Sequence, residues 1–267
     1  MGLKLQIWDK NNSTLSFAEG ERRVSLVHKS KYHKGDNIVF FCDAPGFYIL
    51  RLDDAIAPAL VYVYERVEFV IPFGGMERMC YSPRAFKGGQ HLLTAEIAEP
   101  SQVAARRNLA LNPLDQSDTV GMWPHAVTNV ERIKGRGALF DAHNAIDGIC
   151  TSSSHFPYPY QSWGINKNPD AELTVEFGVP VTVVELVLTL RADFPHDSHW
   201  TKGTVEFSDG SREELIFEKS GEPQHFSIAP RTITSLTLKE LIKAEDNSEF
   251  PALRQIEAWG TVVSKKE

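Results

Sequence analysis

The sequence is poor in cysteine, in long apolar runs and in positive charge. Its cysteines, Cys42, Cys80 and Cys150, are odd in number and far apart among 267 residues. They match neither a disulfide framework nor a zinc motif and are typical of small buried residues in a reducing compartment. No apolar run reaches the length of a membrane span. The net charge of −7 at pH 7 argues against a nucleic-acid partner, because phosphate binding needs a basic face. We therefore expect neither a nucleic-acid nor a membrane partner.

The first nine residues are expected to form a strand rather than a signal peptide. Residues 1–9 alternate apolar and polar side chains and reach an acid at Asp9, which is typical of a strand. We expect a cytoplasmic location, or an extracellular one if a leader has been removed. Apolar and charged contents of 42% and 24% are ordinary globular values, so the chain can bury a core without disulfides.

No segment carries a helical pattern of convincing length, and we predict an all-β protein of two β-sandwich domains. In the first hundred residues, short runs rich in β-branched and aromatic residues alternate with glycine- and proline-rich turns. These runs predict an antiparallel sandwich over 1–100, of unknown role. They are Leu3–Trp8, Val24–His28, Asn37–Cys42, Phe47–Leu52, Leu60–Tyr64, Val67–Ile71 and Leu92–Ile97. Residues 98–107 are typical of a linker or short connecting helix.

Four motifs occur in order in the second half: Asn-Leu-Ala-Leu-Asn-Pro at 108–113, Asn-Ala-Ile-Asp-Gly at 144–148, Leu-Thr-Val-Glu-Phe-Gly at 173–178 and Gln-Ile-Glu-Ala-Trp-Gly at 255–260. Over residues 107–262 the chain resembles the discoidin, or coagulation-factor type C, family of galactose-binding-like domains. The resemblance implies a jelly-roll sandwich that binds a ligand, commonly a carbohydrate, on loops at one end. Independently, Ser208-Asp209-Gly210-Ser211 is typical of a hairpin turn, and strand-like runs continue through this half. They are Leu173–Phe177, Val183–Leu190, Thr204–Phe207, Glu214–Phe217, His225–Ile228 and Ser235–Leu238.

The loop 191–200 concentrates more hydrogen-bonding and stacking groups than a connection between strands requires. We take it as the main candidate for ligand binding through Arg191, Asp193, His196, Asp197 and Trp200. The alternative is structural: Phe194 and Trp200 lie beneath the loop while Arg191 pairs with Asp193 or Asp197.

A sugar site needs an aromatic ring against the apolar face of the pyranose and paired hydrogen bonds to its hydroxyls. The loop 152–168 offers His155, Tyr158, Tyr160 and Trp163, and a third segment adds His125. The prolines around Tyr158 and Tyr160 favour exposure of both rings, whereas Trp163 is equally compatible with the core. Because arginine can clamp a carboxylate, Arg191 extends the hypothesis from neutral to acidic sugars.

The resemblance also implies a structural calcium ion, with Asp147, Thr151 and Glu257 as its ligands. All three offer the hard oxygen atoms that calcium prefers. This sequence departs from the family pattern at Ile149-Cys150, where relatives have a polar, turn-forming pair. The alternative is that Asp147 only caps the turn at Gly148.

Two other functions stay open. His125, His196 and His199 with Asp193 and Asp197 would supply an acid–base or metal site for a carbohydrate-active enzyme, a glycoside hydrolase or lyase, if they converged. The sequence carries neither the zinc-binding motif HExxH nor GxSxG, and it has no other nucleophile motif. An interaction or assembly module would instead present a flat apolar patch, with the β domains pairing into a homo-oligomer. A non-catalytic carbohydrate-binding protein remains the leading hypothesis.

Overall fold

The structure is a computed structural model. It describes residues 2–152, 158–192 and 198–263. These residues form antiparallel β-structure with a single five-residue α-helix, α1, at Pro100–Ala104. The all-β prediction is confirmed. No helix in the described ranges is long and apolar enough to cross a membrane.

The first domain is a sandwich of a four-stranded and a five-stranded sheet. The first eight strands are β1 Leu3–Trp8, β2 Thr14–Gly20, β3 Arg23–His28, β4 Asn37–Cys42, β5 Gly46–Arg51, β6 Ala59–Val63, β7 Arg66–Val70 and β8 His91–Ile97. The four-stranded sheet has the order β2-β1-β4-β7. The five-stranded sheet has the order β10-β6-β5-β8-β3, where β10 is Met122–Trp123. In β1 the burial alternates residue by residue, as expected for a strand with one face on a core.

The second domain is built on two long strands, β13 Leu173–Leu190 and β16 Gln224–Lys243. Its other strands are β9 Arg107–Asn108, β11 His125–Thr128, β12 Trp163–Gly164, β14 Trp200–Phe207, β15 Arg212–Ile216 and β17 Ala252–Val262. The first part of β13 pairs with β11, and the part after Val181 pairs with β17. The β13–β16 register shifts between Glu176 and Val181, so each long strand serves two parts of the domain.

Each domain has its own core, but the border between them does not follow the chain. Leu114 and Met122, both beyond the short helix, belong to the core of the first domain. Strand β10 pairs with β6 and extends the first domain's five-stranded sheet. The ring of Trp123 lies against Gly178, where an added Cβ would come within 2.6 Å of Trp123 Cγ. The second half of the chain therefore completes the first domain.

Candidate ligand-binding cavity

A cavity of about 390 Å³ lies in the second domain, where the two predicted loops meet. It is bordered by residues 133–140, which precede a 3-10 helix at Ala142–Ala145, by the turn after β12, by the end of β13 and by the start of β17. Half of its described lining residues are aromatic or basic. The lining is Ile133, Arg136, Phe140, Tyr160, Gly164, Ile165, Asn166, Lys167, Arg191, Phe250, Pro251 and Ala252.

Arg191 and Tyr160 form the buried wall of this cavity. The Arg191 Cζ atom lies 3.8 Å from the centroid of the Tyr160 ring, and its Nη1 donates a hydrogen bond to Ser162 Oγ at 3.2 Å. Arg191 follows β13 directly, and its backbone N–H donates to the carbonyl of Ala252 at 2.9 Å. These bonds fix a guanidinium group at the end of the sheet, stacked on an aromatic ring as arginine prefers.

The rim of the cavity is a tight turn after β12. Gly164, the last residue of β12, packs closely on Phe140, since an added Cβ would lie 3.2 Å from Phe140 Cβ. Asn166 and Lys167 follow in the left-handed region, with φ values of 47° and 64°. Consecutive non-glycine residues in this region are strained, and such strain concentrates at functional sites.

Phe250 supplies an exposed aromatic ring at the mouth, with 47% of its surface accessible. The Nζ atom of Lys167 lies 5.0 Å from the centroid of that ring and also forms an ion pair with Glu249. The mouth therefore combines a ring face, which suits the apolar side of a pyranose, with charged hydrogen-bonding groups.

Three of the predicted aromatic ligands are buried, which corrects the expected arrangement. Tyr160 is only 2% exposed because Arg191 covers its ring, so the prediction that it is exposed is wrong. Trp163 is fully buried and Trp200 is 1% exposed, with their ring centroids 6.1 Å apart inside the core. Trp200 begins β14 rather than lying on a loop. Neither tryptophan presents a face on which a sugar could stack.

Tyr158 and His125 lie away from this cavity. Tyr158 is half-buried and lines a second, smaller cavity of about 80 Å³ together with His143 and Asp147. His125 is in β11, and its Nδ1 lies 2.7 Å from Asp115 Oδ1. Burial alone would lower the pKa of His125, but the hydrogen bond and charge of Asp115 outweigh it and raise that pKa. The structure thus brings Arg191 and Tyr160 together but separates them from Tyr158 and His125.

Four predicted site residues, His155, Asp193, His196 and Asp197, lie outside the described residues. Their part in ligand binding stays a prediction.

The residues expected to hold calcium are engaged with the protein itself. Asp147 Oδ1 accepts the Ile149 N–H at 2.7 Å, and Oδ2 accepts from Gln161 Nε2 at 2.9 Å. Glu257 Oε2 accepts from the Trp259 indole N–H, and Thr151 is exposed. Within the described ranges, no group of three or more histidine, cysteine or acidic residues is placed to hold a metal ion. Calcium at Asp147, Thr151 and Glu257 stays an untested prediction.

Three residues that line the cavity were not predicted from the sequence: Phe250, Arg136 and Lys167. Phe250-Pro251 ends the polar stretch 244–249, and an aromatic residue at the end of such a loop was the available signal. Arg136 lies between two glycines, a pattern common to any surface turn, so its sequence gave no indication of a role.

Comparison with protein-family models finds no matching family, and comparison with curated proteins finds no match. Among solved structures, this chain is similar to chitosan-binding module 1 of a chitosanase/glucanase from Paenibacillus sp. IK-5, at 18% identity over 58% of this chain and 100% of that one, with a TM-score of 0.40. It is also similar to a Streptococcus pneumoniae fucose binding module, at 12% identity over 58% and 96% of the two chains, with a TM-score of 0.42. A third is the family 32 CBM from C. perfringens NanJ in complex with galactose, at 16% identity over 50% and 91%, with a TM-score of 0.38.

Proposed function

We propose that the second domain binds a carbohydrate, without catalysis, in the 390 Å³ cavity bordered by Arg191, Lys167 and Phe250. The observation that carries this proposal is the exposed Phe250 ring beside fixed hydrogen-bond donors. The volume lies within the range of about 300–1,000 Å³ that small-molecule sites occupy. A ring face together with side-chain donors is the combination that a pyranose requires.

Binding is favoured over catalysis by the contacts of the titratable side chains. Asp115 and His125 pair with each other in a buried position, and neither lines the cavity. The cavity's described lining contains no carboxylate, whereas glycoside hydrolysis normally needs two carboxylates across the scissile bond. Asp193 and Asp197 remain the candidates for such a role in the enzyme alternative.

The basic lining extends the proposal to acidic sugars. Arg136, Lys167 and Arg191 place three cationic side chains around one cavity. A guanidinium group can form two parallel hydrogen bonds with a carboxylate, which favours a uronate over the neutral sugar of the same shape. We expect both classes to bind, with the uronate the tighter.

Calorimetric titration of the full chain with galactose, fucose, glucosamine oligomers and uronates tests the proposal. Galactose, fucose and chitosan are named for the similar modules, and glucosamine oligomers represent chitosan, a cationic amino sugar when protonated. Phe250→Ala is expected to weaken binding about tenfold, since the loss of one aromatic anchor commonly costs more than 1 kcal/mol. Phe73→Ala is the matched control, because Phe73 is 45% exposed and does not line the cavity. Equal affinities of Phe250→Ala and the unmodified chain would contradict the assignment of the site.

A further inference from the structure

The first domain carries an unexpected group of aromatic side chains on a solvent-facing sheet. We call the side of the β2-β1-β4-β7 sheet that faces away from the first core the outer face. The register places Phe17, Gln6, Val39 and Glu68 in one row across the four strands. Such a face is normally polar, yet Phe17 is 62% exposed.

Two further rings lie on the outer face. The ring centroids of Trp8 and Phe41 are 6.0 Å apart, and both side chains are half-buried. Val39 also points to this side but is fully buried, which we attribute to these two rings. A cluster of this kind on an otherwise solvated face marks an interaction surface.

Phe41 separates two hollows on this side of the domain. One, of about 620 Å³, extends over β1 and β2, and the other, of about 580 Å³, extends over β7 and the β6–β7 turn. Both are lined by Phe41, and the second is also lined by the exposed Tyr64. A ligand that crosses Phe41 would occupy both hollows at once.

The charge of the two hollows is strongly negative. Their lining includes two cations, Lys4 and Arg66, and six carboxylates: Glu19, Glu21, Asp43, Glu65, Glu68 and Asp118. Lys4 pairs with Glu19 and Arg66 with Glu68, each at 2.8 Å. Among the described residues, Glu21, Glu65 and Asp118 form no ion pair. The surface therefore has excess negative charge on both sides of Phe41, which a cationic ligand would neutralise.

The face already binds one guanidinium group of its own. Arg66 Cζ lies 6.0 Å from the centroid of the Trp8 ring while the same side chain pairs with Glu68. One arginine side chain on the outer face thus contacts an aromatic ring and a carboxylate together.

From these observations we propose that the outer face of the first domain binds an extended polypeptide segment rich in arginine and lysine. The four strands span about 15 Å at the usual spacing of about 4.8 Å, which an extended chain crosses with four or five residues at about 3.3 Å each. Arginine fits both features of the outer face, its aromatic rings and its carboxylates, because a guanidinium group stacks on the former and pairs with the latter. A neutral sugar could donate hydrogen bonds from its hydroxyls to these carboxylates but would leave their negative charge uncompensated.

The test is fluorescence anisotropy of the full chain with a labelled heptapeptide of alternating arginine and glycine, at an ionic strength of about 0.15 M. Two variants at the outer face are compared with two controls elsewhere. The comparison distinguishes binding at this face from attraction to the protein's net charge. Tyr64→Ala and the double variant Glu65→Gln, Asp118→Asn alter the outer face. As controls, Phe73→Ala removes another exposed ring, which lines neither hollow, and the double variant Glu218→Gln, Glu222→Gln removes two negative charges from the second domain. Tyr64 is 61% exposed, so its removal leaves the core intact.

We expect each outer-face variant to weaken peptide binding at least about fivefold, and each control to change it less than about twofold, as for hot-spot against peripheral residues. Equal losses in the two charge variants would overturn the proposal, because attraction to net charge alone would then explain the binding. Binding of a glucosamine oligomer but not of the peptide, lost in Tyr64→Ala, would also overturn it and assign the face to an amino sugar.

Discussion

Arg191 combines a structural role with the binding role that we propose for it. The residue is 4% exposed, and its guanidinium group stacks on Tyr160 beside the cavity that Arg191 lines. The sequence predicted the residue and its loop but not the stacking partner, because Tyr160 was expected at the surface. A residue held this firmly binds without losing much rotational freedom, which favours affinity.

At the same scale, Asp147 gives a prediction about pH. Burial raises its pKa from 3.8 to about 7, although hydrogen bonds from Gln161 and the Ile149 N–H act in the opposite direction. Because the folded-state pKa is above the unfolded value, this group stabilises the fold at pH below about 4 and loses that contribution as pH rises to about 7. Thermal melts from pH 4 to 8 are expected to show this fall, and Asp147→Asn is expected to flatten it.

The same thermal melts with added calcium test whether Asp147 binds the predicted ion. Calcium bound at Asp147 would favour the charged carboxylate and offset the loss of stability at pH 8. A calcium-dependent rise in melting temperature that disappears in Asp147→Asn would establish the predicted metal. A steeper pH slope in Asp147→Asn than in the unmodified chain would contradict the account of this carboxyl group.

At the scale of elements, alternation of apolar and polar residues was sufficient to locate most strands. Strand β1 was predicted with its observed bounds, and β4 likewise. Strand β2 was not predicted. Its apolar residues Leu15 and Phe17 face solvent and no residue of the strand is fully buried, so its sequence lacks the alternation that marks a half-buried strand. The long strands β13 and β16 were each predicted as two, since the turn residues Gly178 and Pro180 and the segment 229–234 interrupt the pattern without ending the ladder.

Substitution of Trp200 tests whether its ring packs in the core at the start of β14, as the structure shows, or contacts a ligand from the predicted loop 191–200. Trp200→Ala is expected to lower the free energy of unfolding by about 3–5 kcal/mol, because removal of a buried aromatic leaves a cavity. Denaturant unfolding measures this change, with Trp200→Phe as the smaller deletion. If Trp200 instead contacts the ligand, Trp200→Phe will weaken sugar binding and leave stability nearly unchanged.

At the scale of the whole molecule, the two domains share more of the chain than composition indicated. A linker near 98–107 was predicted, and the short helix Pro100–Ala104 lies there. Yet Leu114, Met122 and β10 belong structurally to the first domain. Sequence alone could not show this, since a two-residue strand has no periodicity and its partner β6 lies some sixty residues earlier.

This sharing predicts where the chain can be divided. A fragment of residues 1–106 lacks Leu114 and Met122 and leaves the β6 edge open, so we expect it to be less stable than a fragment of residues 1–126 by several kcal/mol, or to aggregate. Circular dichroism melts and gel filtration of the two fragments measure the difference. Equal melting temperatures would show that residues 107–126 contribute nothing to the first domain.

The central claim, a sugar site at the end of the second domain, is tested most directly by nuclear magnetic resonance. Backbone amide shifts of the labelled full chain would be followed during titration with the best ligand from the calorimetric panel. The account predicts shifts concentrated at residues 133–140, 160–167, 191 and 250–252, and their loss in Phe250→Ala. Shifts confined to the outer face around Phe41, or spread evenly over both domains, would contradict it.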